Sequence, residues 1–210
     1  MFSIIQAAGW PIWPLIASSV LALAIVIERF VSLAEAKIAP PGLAKAVLAA
    51  TQKRIPASAS VANLESGSLQ GQVLGSALNA LNEQPTLSED DLRAVVQSAG
   101  RAAAQRLDAH LSALATVASA APLMGLLGTV IGMIEIFGAQ GPTGGTGNPA
   151  QLAQGISMAL YNTAFGLLVA IPALVFWRYF RARVDGYLVT LETSADQLIR
   201  HLRNCGHLKP

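Results

Sequence analysis

An all-α membrane protein with three transmembrane helices is predicted by three observations. The chain is 53% hydrophobic and only 12% charged, where a soluble domain carries roughly 25% charged residues. Three uncharged stretches reach the roughly 20 residues needed to cross a bilayer: Trp10 to Ile27, Leu111 to Ile134 and Leu152 to Trp177. Finally, the 14 Lys and Arg residues divide into eight between Arg29 and Arg106 and six from Arg178 to Lys209. The positive-inside rule then puts the N-terminus and the stretch from Gly138 to Pro149 on the outer side, with the long loop and the tail in the cytoplasm. The expected segments are an outer N-terminus (1–9), a first membrane helix (10–33), a cytoplasmic helical loop (34–108), a second membrane helix (109–138), an outer hairpin loop (139–151), a third membrane helix (152–177) and a cytoplasmic helical tail (178–210).

The first helix opens with Trp10 and Trp13 beside Pro11 and Pro14. Indole rings favour the headgroup level, and proline is tolerated in a first helical turn. Its smooth run from Leu15 to Ile27 reads as a lipid-facing anchor. The basic flank of a cleavable signal peptide is missing, so this segment is expected to be retained. Cys205, the single cysteine, lies in the tail and offers neither a disulfide nor a metal cluster.

Beyond the membrane, Pro40-Pro41-Gly42 breaks the chain, Leu43 to Thr51 has a short amphipathic helical pattern, and Pro56 to Ser60 is another break. Leu69, Val73, Leu74, Ala77, Leu78 and Leu81 recur at helical spacing, and Pro85 ends that helix. Ser88 followed by Glu89, Asp90 and Asp91 is a helix start, with a capping hydroxyl and three acids placed at the positive end of the helix dipole. From there the pattern runs to Gly138, about 75 Å of helix. The third helix likewise continues from Arg178 to Leu202 with Val184, Leu188, Leu191, Ala195, Leu198 and Leu202 on one face. Both helices are therefore expected to extend into the cytoplasm, where their apolar faces need each other or neighbouring subunits.

Within the second and third membrane helices, small residues gather on one side: Gly125, Gly128 and Gly132 in the second, and Gly155, Ala159, Thr163, Gly166 and Ala170 in the third. Such faces let backbones approach closely in lipid, within one subunit or between subunits. Polar residues are few. Thr129 lies nine residues in from Gly138 and Thr163 eleven from Leu152, each about 13–17 Å deep and near the midplane. Two hydroxyls at matched depth can line a wet path, or each can bond a carbonyl one turn back. Asn162 and Tyr161 share the third helix, and an amide at that depth needs partners. Glu135 is the only ionisable residue in these runs. Sitting about 5 Å below the outer surface, it is either a cation-collecting carboxylate or a hydrated helix-end residue. Hydroxyls and amides do not titrate near neutral pH, so a proton machine built here needs Glu135 or a carboxylate from another chain.

The stretch Ala121-Pro-Leu-Met-Gly-Leu-Leu-Gly-Thr-Val-Ile-Gly-Met133, with Gly155-Ile-Ser-Met-Ala-Leu-Tyr-Asn-Thr-Ala-Phe-Gly-Leu-Leu-Val-Ala-Ile-Pro-Ala173, resembles the paired signature of the ExbB/TolQ/MotA proton-channel family. The short N-terminus and modest loop look most like ExbB. That resemblance implies a homo-pentamer in the bacterial inner membrane, N-terminus periplasmic and C-terminus cytoplasmic. Its pore would hold the helices of an ExbD-like partner whose aspartate carries the proton. The complex would energise a TonB-like protein for outer-membrane uptake, with protons as the coupling ion and no other cofactor. Thr129 and Thr163 match the family's two pore-lining threonines. There is one departure: where many ExbB and TolQ chains carry a glutamate, this chain has Met158, so the partner's aspartate is expected to suffice.

Two further readings remain at this point, a passive scaffold housing a partner's helices and a motor subunit with a TolQ-like or MotA-like client. A self-sufficient transporter has neither repeats nor a midplane charge to support it. Nothing supports an enzyme either. His110, His201 and His207 lie in cytoplasmic segments away from Cys or paired carboxylates, and no phosphate-binding glycine loop precedes a lysine. Anionic headgroups account for the basic run Arg178 to Arg183 without nucleic acid.

Overall fold

Caps and breakers divide the chain into helices at the points where its residues supply them. The computed structural model describes residues 9–139 and 149–208. Among these are eight helices and no strand: α1 (Ile12–Ser32), α2 (Glu35–Ile38), α3 (Leu43–Thr51), α4 (Ser58–Gly67), α5 (Leu69–Glu83), α6 (Glu89–Asp108), α7 (Leu111–Ala139) and α8 (Pro149–Asn204). Gly42 enters α3 at a φ of 87°, a left-handed conformation that glycine adopts without penalty. The Ser68 hydroxyl accepts from the Gly71 N–H at 3.0 Å to open α5. Ser88 does the same for Asp91 at 3.2 Å to open α6. Three stretches are long and apolar enough to cross a membrane: Ile12–Ser32, one within Glu89–Gly138 and one within Ala153–Asn204. The hairpin loop expected at 139–151 lies largely outside the described residues.

Two expectations need correction. The helical path expected from Ser88 to Gly138 is interrupted at Ala109–His110, where His110 takes a φ of 61°. Histidine is among the few side chains enriched in that region, which a search for Pro and Gly overlooks. The break expected at Pro56 to Ser60 ends sooner, because Ser58 already begins α4.

The chain forms two compact units. One comprises Met1–Glu28 and His110–Tyr179. Many of its large side chains point outward: Leu123 is 66% exposed, Ile134 65% and Leu168 66%, whereas Ala121 is fully buried. Leu15 of α1 packs with Ala121 of α7 and Ala170 of α8, flanked by Met124, Phe165 and Val169. Trp10 and Trp13 are exposed. The expected anchor helix therefore has a protein-facing side, carried by Ile12 and Leu15.

The other unit comprises Arg29–Ala109 and Phe180–Pro210 and is built the opposite way. Leu74, Leu78 and Leu81 of α5, Leu92 of α6, and Val184, Leu198 and Leu202 of α8 are all buried. The apolar face of 184–202 is thus covered by helices of this same unit. A buried bond from Gln70 Nε2 to Ser194 Oγ (2.6 Å) ties α5 to α8. At the surface Glu89 meets Arg93 at 3.0 Å and Arg203 at 3.4 Å. The hydrogen bond from Arg93, with the Arg203 charge beside it, holds the Glu89 carboxyl below its ordinary value.

Candidate functional site

Glycine brings α7 and α8 into backbone contact. A Cβ added at Gly125 would lie 2.8 Å from the Asn162 carbonyl oxygen and 3.1 Å from Thr163 Cα. One at Gly166 would lie 2.7 Å from the Ala121 carbonyl oxygen. Neither site has room for a side chain, and both obstructions are backbone. Gly128 faces the Asn162 side chain, whose Cβ a new methyl would meet at 2.6 Å. Gly155 is seated on Ile136, while Gly132 opposes Ala159 at an ordinary 3.5 Å. The small faces meet within one chain, which is the close approach that compensates for the lack of a hydrophobic drive in lipid.

This crossing treats the two threonines differently. Thr163 Oγ1 points across the interface and donates to the Gly125 carbonyl at a long 3.5 Å. Thr129 Oγ1 instead donates to Leu126 of its own helix at 2.6 Å, the local bond that Ser and Thr commonly make in membrane helices. Ser157 does likewise with Ala153 at 2.9 Å. Asn162, one residue before Thr163, is completely buried, with its amide over Gly128. Tyr161 and Glu135 are exposed. The crossing therefore gathers Thr163 and Asn162 but not Tyr161 or Glu135. The side chain of Met158 lies outside the described residues.

Sequence reasoning missed a second hydroxyl row. Ser112, Thr116 and Ser119 occupy one exposed face of α7 at spacings of four and three. Thr116 and Ser119 are satisfied by carbonyls of their own helix, at 2.9 Å and 3.0 Å. Their helical period was available in the sequence, although each residue is unremarkable alone. Chemically, these groups can relay or bind but cannot hold a proton at neutral pH. Glu135 is the one carboxylate in the two apolar runs.

A hairpin of apolar helices with a small-residue seam, buried polar groups at the seam and large apolar side chains outside defines an integral membrane subunit. The chain belongs to the MotA/TolQ/ExbB proton channel family, whose model matches residues 65–193. It is 36% identical over 91 residues to biopolymer transport protein exbB1 of Vibrio cholerae, covering 43% of this chain and 40% of that protein. It is 38% identical over 121 residues to the Tol-Pal system protein TolQ of Pseudomonas aeruginosa, covering 56% and 52%. The chain thus spans about half, or less, of the length of these two relatives. With the putative biopolymer transport protein ExbB-like 3 of Synechocystis it is 29% identical over 194 residues, 92% of this chain and 90% of that protein.

Proposed function

We propose that this chain is the housing subunit of an inner-membrane proton-driven motor, with its N-terminus periplasmic and its C-terminus cytoplasmic. Copies of the chain, five on the family pattern, surround the helices of an ExbD-like partner. Proton flow through that complex energises a TonB-like protein. The observation that carries this reading is the seam at Gly125 and Gly166. There a midplane hydroxyl, Thr163, reaches across to a carbonyl with slack in the bond, and no group in the two apolar runs at that depth titrates near neutral pH.

The division of labour follows from the chemistry. Thr163 offers a donor and an acceptor to a proton carrier and to water, Asn162, buried over Gly128, holds the seam beside it, and Thr129 lines the approach from α7. The carrier itself is a carboxylate on the partner, because the family's usual acid position is Met158. Glu135, near the outer end of α7, concentrates cations at the entry, and Tyr161 lies beside the path.

The test is Thr163→Val, with Thr129→Val in parallel. Proton-coupled uptake should fall at least about tenfold in Thr163→Val and less in Thr129→Val, with the complex still assembled on a sizing column. Unchanged uptake in both variants would favour a passive scaffold. Uptake that persists while a TolQ-like or MotA-like activity is lost would redirect the client.

A further inference from the structure

The unit formed by Arg29–Ala109 and Phe180–Pro210 carries an open cleft of about 300 Å³ that the proton path does not use. Three cationic side chains line it, Arg29, Lys37 and Arg106, together with the serines Ser32, Ser66 and Ser68. Among the described residues no carboxylate joins that lining. Arg29 is only 4% exposed and is held in place by donating to the Leu107 carbonyl at 3.2 Å. Arg106 is oriented by donating to Gln72 at 2.6 Å. Ser32 Oγ is buried behind the lining and makes no hydrogen bond among the described residues. Ser68 caps α5, so the positive end of a 15-residue helix also opens onto this lining.

We propose that this cleft is a phosphate-binding site that takes either the headgroup phosphate of an acidic phospholipid or a soluble phosphate ester. A planar guanidinium offers phosphate two parallel N–H donors, lysine adds a point charge, and helix N-terminal N–H groups favour anions. Arg29 and Ser32 sit in the last turns of α1, directly after the apolar run that ends at Ile27. A lipid headgroup at the inner surface is therefore within the chain's own reach, and occupancy would pin the end of α1 to α5 and α6.

The probe set is phosphatidylglycerol, phosphatidylcholine and inorganic phosphate, each titrated against the full chain purified in mild detergent. Binding is read by native mass spectrometry and thermal shift. The test variant is Lys37→Gln with Arg106→Gln, both at exposed positions, and its charge-keeping control is Lys37→Arg with Arg106→Lys. Removing two cations near an anionic ligand is worth on the order of tenfold in affinity or more. Phosphatidylglycerol binding that weakens by that factor in the Gln variant and survives in the control, with phosphatidylcholine indifferent, supports the lipid source. A stabilising shift from millimolar inorganic phosphate, lost in the Gln variant alone, supports the soluble source. Equal binding of both anionic probes by the native chain and the Gln variant overturns the proposal. So does equal loss in the Gln variant and its control.

Discussion

The two units of this chain solve the packing problem in opposite ways. In the unit that contains α7, the seam holds Ala121, Gly125, Ala159, Gly166 and Ala170, and large side chains such as Leu123, Ile134 and Leu168 face outward. In the unit that contains α5 and α6, leucine fills the interior and the exterior carries ion pairs such as Arg181–Asp108 at 3.0 Å. Water dictates the second pattern, since burying large apolar groups drives folding there. Lipid removes that drive, and close van der Waals contact between backbones takes over. What stabilises one unit would therefore damage the other.

Enlarging a seam residue should have the largest effect. Gly166→Leu sets a side chain against the Ala121 carbonyl, and backbone cannot yield as a flexible side chain can. The cost should exceed the about 1–3 kcal/mol of ordinary overpacking. Assembled protein should disappear from a sizing column even at low temperature. Native-like assembly would mean that the seam is looser than 2.7 Å implies.

Shrinking a residue tests the other unit. Leu198, 1% exposed, should cost about 2–5 kcal/mol when replaced by Ala, seen as a drop in thermal midpoint with proton-coupled activity retained at low temperature. A smaller effect, of opposite sign, is expected at Gly186. This exposed glycine lies within α8, and a Cβ there would meet nothing within 4 Å. Gly186→Ala should stabilise by about 0.5–1 kcal/mol through helix propensity alone. A loss of stability instead would show that Gly186 is covered in the assembled protein.

Much of this contrast was legible in the residues. The spacing of Gly155, Ala159, Gly166 and Ala170 marks the seam, and the row Val184 to Leu202 marks the buried face of the tail. Both are strong periodic signals. Helix α4 was not legible, because its sequence, rich in Ser and Ala, buries only Val61 and shows no stripe. The inward side of α1 was equally hidden, since in a uniformly apolar run nothing distinguishes Leu15 from its lipid-facing neighbours. Nor could spacing separate the two threonines. Thr129 and Thr163 have matched depths, yet one bonds its own helix and the other reaches across, which depends on where the helices cross.

That crossing leads to the central claim, that this chain houses a proton path whose titrating carboxylate belongs to another chain. The most direct measurement is proton flux in vesicles under an imposed gradient. Vesicles with this chain alone should be as tight as empty ones. Adding an ExbD-like partner should open a flux that disappears when the partner's membrane aspartate is changed to asparagine. Flux from this chain alone, abolished by Glu135→Gln, would contradict the claim.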